Sequence, residues 1–295
     1  MKNIIRLFIL LFFGISTSIS AQEIVKDTIS KKDTTVGQKL GKIVQTAVVN
    51  DTAQRKETVK DSILETALEM KYYGIPQFLH ETALFIETPA RWRSSDWLRV
   101  GIVLTGTVAI TTIDQRITNL AIGNQHYLYS PEVVGGRLYG EWYTIGTLTA
   151  AFGVYGILAH NNKAKRIAIE LLQAGAYSEL FTEVLKVGIG RYRPYNNVGP
   201  FVFHLFNIKL NNDFESMPSG HATSAFALST VLFRHANTTF WKIMAFVPAG
   251  FTLFARIYEI QHWASDEFLG SCVGFATGMW VVNLHEGKRH RIHVK

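Results

Sequence analysis

Three short clusters of residues have the types and spacing needed for chemistry on an anion. In the first, Lys186 is separated by six residues from Arg193 and Pro194, in the segment KVGIGRYRP. The two glycines and the proline predict that Lys186, Arg191 and Arg193 lie in a loop. Arginine can bind phosphate oxygens in pairs and lysine adds a point charge, so the loop is typical of a phosphate site. A basic loop beside a membrane would contain the same residues, so this cluster alone leaves both interpretations open.

The second cluster is Pro218, Ser219, Gly220 and His221, directly before the helical pattern HATSAFALSTVLF. Ser219 and Gly220 are typical of a helix start, where free backbone N–H groups attract an anion. His221 falls in the first turn and can reach a bound group. An ordinary helix cap with an incidental histidine is the alternative.

The third cluster is Arg256, then His262 after five residues, then Asp266 after three more. His262 and Asp266 share one face of a regular helix because they are four residues apart. An aspartate bonded to one imidazole nitrogen leaves the other nitrogen free to attack or to accept a proton. A buried structural histidine–aspartate pair is the alternative. Metal binding is disfavoured because the neighbouring cluster residues are cations, so we expect no metal site and no cofactor.

Taken together, the clusters supply three cations, a helix N-terminus, two histidines and an aspartate. This set describes an anion site with a nucleophile and an acid. A tetrahedral oxyanion such as phosphate fits it, because phosphoryl transfer needs neutralised equatorial oxygens and groups placed in line on either side.

The order and spacing K-x6-RP, PSGH and R-x5-H-x3-D resemble the type 2 phosphatidic acid phosphatase/haloperoxidase superfamily, over roughly residues 90–285. The resemblance implies that His262 attacks phosphorus to form a phosphohistidine, that Asp266 orients His262, and that His221 protonates the leaving oxygen. Members of the family usually have serine before the third-cluster arginine, whereas this chain has Ala255.

The resemblance also implies how the phosphate is held. Cationic side chains would neutralise its oxygens without a metal, assisted by a serine and a backbone amide at the helix start. The expected phosphate-binding residues are Lys186, Arg193, Ser219, Gly220 and Arg256.

The function that the resemblance favours is hydrolysis of a lipid phosphate or pyrophosphate in the bacterial envelope. Phosphatidic acid, phosphatidylglycerol phosphate, undecaprenyl pyrophosphate and lipid A are the substrates of resembling relatives. The alternatives are a secreted non-specific acid phosphatase, a vanadate-dependent haloperoxidase and an inactive membrane scaffold. We expect a lipid phosphate as substrate, the membrane as partner and no nucleic acid. Between the first two clusters, apolar residues are expected either to contact a lipid chain or to pack the loop: Phe201, Phe203, Leu205, Phe206 and Ile208.

Apolar runs of helical length must position these clusters. No alternating strand pattern is present, and the single Cys272 excludes an internal disulfide. The sequence therefore predicts an all-α, six-helix bundle that is polytopic in the membrane, with a compact secreted helical domain as the alternative. The predicted helices cover residues 97–114, 142–159, 167–186, 221–234, 241–257 and 265–284.

Two segments precede the predicted helical domain at 76–287. A basic start, a short apolar run and small residues ending at Ala21 predict a cleaved signal peptide over residues 1–21. Residues 22–71 lack aromatic residues and proline, which predicts a polar, disordered tether over residues 22–75. A basic tail follows at 288–295.

The cues to membrane topology conflict. The charge bias places the C-terminus in the cytoplasm and the three clusters on the periplasmic face of the inner membrane. A cleaved signal would leave residues 22–95 outside and reverse that topology. A soluble periplasmic protein remains the alternative location. The cations behind the bias are Arg91, Arg93, Lys163, Lys165, Arg166, Arg234, Lys242, Lys288, Arg289, Arg291 and Lys295.

Overall fold

A computed structural model of the chain describes residues 74–206 and 212–292, with side chains as far as residue 286. The predicted signal segment, residues 22–73 of the predicted tether and residues 293–295 of the basic tail lie outside the described residues. All described residues fall within one compact unit.

The described residues form ten α-helices and one isolated antiparallel bridge between Arg191 and Phe203. The all-α class predicted from the sequence is confirmed, and each of the six predicted runs is helical. The helices are α1 Ile75–Glu87, α2 Ser94–Thr111, α3 Asp114–Ile122, α4 Pro131–Tyr139, α5 Trp142–Leu158, α6 Asn162–Ile189, α7 Gly220–His235, α8 Thr239–Met244, α9 Val247–Tyr258 and α10 Ala264–Ile292.

The helix boundaries differ from the prediction in three places. Helices α1, α3 and α4 arise in segments that lack a long apolar run. The run at 241–257 is divided into α8 and α9, and a proline lies in the first turn of α9, where its missing N–H is tolerated. Helix α10 continues to Ile292, beyond the predicted end at residue 284.

Among the described residues, two stretches are long and apolar enough to cross a membrane. They are Thr239–Tyr258, with 20 residues, and Ala264–Glu286, with 23. Helices α2 and α3 would form a third span as one unit bent by 51°. On α2, Leu98, Ile102 and Val108 are each more than 60% exposed, as lipid-facing side chains are. The chain is a membrane protein, and these segments are its candidate spans.

Helices α6, α7 and α10 form the core that carries the site. Leu171 and Tyr177 of α6 pack with Leu228 of α7 and Val281 of α10 in one buried cluster. The aromatic rings of α1 pack against it from outside, where Phe85 stacks on Tyr177 at 4.8 Å between ring centroids. The cluster keeps the three helices in fixed register, so the residues at their ends are held relative to one another.

A stripe of glycines lets α10 approach α7 at backbone distance. A Cβ at Gly270 would lie 2.5 Å from the carbonyl oxygen of Ser219, and one at Gly274 would overlap the carbonyl oxygen of Thr223. Small residues at every fourth position are the usual way for membrane helices to pack this closely. The N-termini of α7 and α10, which carry the second and third clusters, are therefore side by side.

Candidate active site

Lys186 lies in the last turn of α6 and not in a loop, so the sequence prediction was wrong for this residue. The helix tolerates Gly188 and ends only at Gly190, which adopts a left-handed φ of 56° and donates its N–H to the Lys186 carbonyl at 2.8 Å. The Lys186 ammonium lies 2.6 Å from Glu183 Oε1. It is also 3.5 Å from where a Cβ at Gly220 would be. The first cluster therefore meets the second at the start of α7.

The two arginines of the first cluster have different surroundings. Arg193 is 8% exposed and donates to the Asn212 side chain and carbonyl and to Gln261 Oε1, beside His262. Arg191 is fully buried, and its guanidinium carbon lies about equally far from the rings of Phe203 and Trp263, at 5.6 and 5.4 Å. Only Arg193 is thus available to a ligand.

The second cluster starts α7, as the sequence predicted. Ser219 Oγ accepts the Ala222 N–H at 3.3 Å, and the Ser219 N–H donates to the Asp266 carbonyl at 3.1 Å. His221 lies in the first turn. Its Nε2 is buried and lies 3.2 Å from Glu141 Oε1, without the geometry of a hydrogen bond. The histidine is therefore placed at the end of α7 that faces the other two clusters.

His262 and Asp266 of the third cluster lie close together, but the expected hydrogen bond does not join them. His262 precedes α10, and its Nδ1 lies 2.8 Å from the carbonyl oxygen of Ser216 and 4.0 Å from Asp266 Oδ2. Because a carbonyl only accepts, Nδ1 carries the proton and Nε2 keeps its lone pair. The direct hydrogen bond predicted between Asp266 and His262 is absent from this structure.

Asp266 acts on the histidine through its neighbours instead. Its carboxylate accepts the hydroxyl of Ser216 at 2.5 Å, the N–H of Trp263 at 2.8 Å and Arg191 Nη1 at 2.6 Å. Ser216 provides the carbonyl that holds His262, and Trp263 follows His262 in the chain. Asp266 thus fixes both sides of the imidazole.

Burial and nearby cations from the first and third clusters lower the pKa values of the two histidines. His262 and His221 both lie outside the candidate spans. Burial lowers the pKa of His262 well below its usual range, and the cations Arg193, Arg256 and Lys186 lower it further. Burial and the same three cations also lower the pKa of His221, to about 3. Both imidazoles are therefore neutral at pH 7 before an anion binds.

Arg256 is held by a carboxylate that the sequence analysis did not single out. Its Nη1 lies 2.6 Å from Glu259 Oε2, and Glu259 Oε1 lies 3.0 Å from Arg137 Nη1. Arg256 Nε is buried without a hydrogen-bond partner in the described part of the chain. This N–H is thus free to bind an anion oxygen.

Asp114 is a second residue that sequence reasoning missed. It is buried at the start of α3, where it accepts Arg191 Nη2 at 2.8 Å and the Ser265 backbone N–H at 3.0 Å. An aspartate at a helix start has the pattern of an ordinary cap, so the sequence carried no signal of this long-range contact. Within residues 74–206 and 212–292, no group of three or more His, Cys, Asp or Glu side chains could hold a metal ion.

The apolar side chains of the loop that follows the first cluster differ in exposure and in contacts. Phe201, Leu205 and Phe206 are between 64% and 76% exposed, whereas Phe203 covers the Arg191 guanidinium. Ile208 lies outside the described residues. One ring therefore packs the loop and the other three side chains are exposed, while contact with a lipid chain stays a prediction.

Comparisons with known proteins agree with the three motifs. A model of the PAP2 superfamily matches residues 167–290 and confirms the resemblance seen in the sequence. A lipid A 1-phosphatase of Porphyromonas gingivalis is 34% identical over 74 residues, which is 23% of this chain and 17% of that protein. A PA-phosphatase related-family protein of Dictyostelium discoideum is 29% identical over 128 residues, 39% of this chain and 46% of the relative. The chain thus spans less than half of each relative.

The solved structures that match include the PAP2 type phosphatidylglycerolphosphate phosphatase of Bacillus subtilis. It is 19% identical, with a TM-score of 0.49, and the match covers 63% of this chain and 94% of that structure.

Proposed function

We propose that this chain, which belongs to the PAP2 superfamily through residues 167–290, is a metal-independent phosphatase that hydrolyses a lipid phosphate or pyrophosphate in the bacterial envelope. The observation that carries the proposal is the geometry at His262. Its Nδ1 is held by the Ser216 carbonyl, so Nε2 has a lone pair, and cations surround the ring. A neutral imidazole among cations suits attack on a phosphate ester.

In the first step, His262 Nε2 attacks phosphorus and a phosphorus–nitrogen bond forms. The bond from phosphorus to the leaving oxygen breaks, and its electron pair stays on that oxygen, which receives a proton from His221. Lys186, Arg193 and Arg256 bind the equatorial oxygens and neutralise the charge that develops there. Ser219 and the Gly220 amide add hydrogen bonds from the start of α7.

In the second step, water hydrolyses the phosphohistidine. His221, now neutral, accepts a proton from the water as its oxygen attacks phosphorus. The phosphorus–nitrogen bond breaks and its electron pair returns to His262 Nε2. Inorganic phosphate leaves, His221 gives up its proton because the ring is neutral in the free enzyme at pH 7, and binding of the next phosphate anion favours its protonation again.

We place the enzyme in the inner membrane with its site facing the periplasm, and the catalytic unit in residues 76–287 with residues 22–75 as a tether. The apolar spans and the exposed Phe201, Leu205 and Phe206 support a substrate with a hydrocarbon chain. Such a chain would lie along these side chains at the membrane surface while the phosphate enters the polar site.

A substrate panel tests the proposal. Detergent-purified full-length protein is given phosphatidic acid, phosphatidylglycerol phosphate, undecaprenyl pyrophosphate, lipid A and a soluble aryl phosphate. We expect at least one lipid to be hydrolysed with a higher kcat/KM than the soluble ester. Release from the soluble ester alone would indicate a non-specific acid phosphatase. Bromide oxidation with added vanadate and peroxide, without phosphate release, would indicate a haloperoxidase.

A further inference from the structure

The surroundings of His221 disfavour the protonated ring that a proton donor needs. The proposed acid must carry a proton to the leaving oxygen, yet its ring is buried among Arg256, Arg193, Lys186 and Arg137. Each of these cations disfavours the imidazolium form. A bound phosphate offsets part of this charge, but the arginines and the lysine are directed at the phosphate itself. Something else must favour a proton on His221.

Glu141 is the carboxylate that meets this ring. It is the residue before α5, and its Oε1 lies 3.2 Å from His221 Nε2. Three other acids near the site are engaged with cations, whereas Glu179 accepts the Ser224 hydroxyl and Glu267 is buried next to Asp266 without an ion pair in the described residues. Glu183 contacts Lys186, Glu259 contacts Arg256 and Arg137, and Asp266 contacts Arg191.

The fold places Glu141 there through a close backbone approach. The corner between α4 and α5 passes over the first turn of α7 at Gly140. A Cβ at Gly140 would lie 2.9 Å from His221 Cβ and 2.7 Å from Thr252 Cγ2. Any larger residue would push the corner away from His221, so the position of Glu141 follows from the packing of three helices and not from a mobile side chain alone.

We propose that Glu141 is a positioning residue that holds His221 as the proton donor for the leaving group. The inference rests on the proposed phosphatase function. One nitrogen of the imidazolium faces the Glu141 carboxylate and keeps its proton. The other gives its proton to the leaving oxygen as the phosphorus–oxygen bond breaks, and the ring becomes neutral. Glu141 remains a carboxylate throughout.

The test compares leaving groups of different basicity. Glu141→Gln keeps the shape of the side chain and removes its charge. With phosphatidic acid in mixed micelles, whose leaving alcohol needs a proton, we expect kcat/KM to fall about 100-fold. With p-nitrophenyl phosphate, whose leaving group departs as an anion, we expect a fall of less than about threefold. A merely structural role would lower both equally.

The pH profile provides a second readout. The carboxylate favours the imidazolium of the enzyme–substrate complex against Arg137, Arg193, Arg256 and Lys186, so its removal lowers the pKa of His221 there. The alkaline limb of kcat on phosphatidic acid should move to lower pH by about one unit in Glu141→Gln. An unmoved limb would contradict the proposal.

A matched control and a double variant complete the test. Glu132→Gln removes an exposed carboxylate from α4 and should leave both substrates unaffected. In a His221→Ala background, Glu141→Gln should have no further effect, because Glu141 acts through the missing ring. Equal losses on both substrates, or additive losses in the double variant, would overturn the inference about Glu141. Neither result would contradict the proposed phosphatase function. Absence of wild-type activity on every lipid of the substrate panel and on the soluble ester would instead overturn the proposed function, and this inference with it.

Discussion

At the scale of single residues, Arg191 connects the parts of the site without reaching the ligand. It is fully buried and donates to Asp114, Asp266 and Ser265, and also to the carbonyl of Pro200. Asp266 in turn sets the position of Ser216, whose carbonyl holds His262, the proposed nucleophile. The planar fork of an arginine can serve several acceptors at once, which an ammonium cannot do in the same geometry.

We therefore predict that Arg191→Lys destabilises the protein by about 3–5 kcal/mol, because it leaves buried carboxylates without donors. Thermal unfolding in detergent measures the change. Arg99→Lys is the control, since Arg99 pairs with Asp96 at a side-chain exposure of 78% and should change little. Equal apparent Tm values for the two variants would contradict the role assigned to Arg191.

The lowered pKa values of His221 and His262 predict how the stability of the protein depends on pH. Their pKa values are lowered in the folded protein, so the unfolded chain binds more protons once the pH falls below about 6.5. Folding stability is then lost as the pH falls through this range. For His221, with a folded pKa of about 3, the loss between pH 7 and pH 5 is about 2 kcal/mol.

The apparent Tm should accordingly drop less between pH 7 and pH 5 in His221→Gln than in wild type. His126→Gln replaces an exposed histidine and serves as the control. The same Tm drop in all three proteins would show that the burial of His221 has no effect on acid stability.

The sequence predicted which residues lie together at the candidate site better than it predicted their contacts. Spacing placed Lys186, His221, His262 and Asp266 in one group, because motif positions are local. The resemblance selected Arg193 as the phosphate-binding arginine, but nothing in the sequence showed the different role of Arg191, two positions earlier, which is buried and contacts Asp266. That difference depends on Asp114, which is 77 residues away in the chain from Arg191.

At the scale of helices, the site depends on how closely α7 and α10 pack. Ser219 donates to the Asp266 carbonyl at 3.1 Å across the two N-termini. This contact needs the backbone approach that the glycines of α10 allow. The helical periodicity of the sequence predicted both helices, but which faces meet is decided by small residues whose partners lie about 50 residues away.

We predict that Gly274→Ala separates α7 from α10 and costs about 1–3 kcal/mol, because the new methyl group would overlap the carbonyl oxygen of Thr223. Phosphatase activity should fall with it, as Ser219 and His221 move away from Asp266. Gly101→Ala is the matched control, since a Cβ at Gly101 in α2 meets nothing within 4 Å. If the two variants had equal activity and equal Tm, close helix packing would not determine the site.

At the scale of the whole molecule, the apolar surface assigns the chain to a membrane. Helices α2 and α3, α8 and α9, and α10 provide the candidate spans, and large apolar side chains project outward from them. The polar site lies at the ends of α6, α7 and α10. With the proposed substrate, this arrangement would hold the phosphate in the polar site while the hydrocarbon part stays in the lipid.

The membrane assignment predicts how the protein fractionates. It should remain with the membrane pellet after an alkaline carbonate wash and be released only by detergent, because its outward apolar surface needs a hydrophobic solvent. Immunodetection in the separated fractions measures this. Recovery in the soluble periplasmic fraction without detergent would contradict the assignment.

The most direct test of the account is phosphate release from phosphatidic acid micelles by full-length protein in EDTA, with wild type measured beside His262→Ala and His126→Ala. We predict release by wild type and by His126→Ala, and a loss of at least about 10³-fold in His262→Ala, since no other group replaces the nucleophile. Near-normal release by His262→Ala, or release by wild type that EDTA abolishes, would contradict a metal-independent phosphohistidine mechanism.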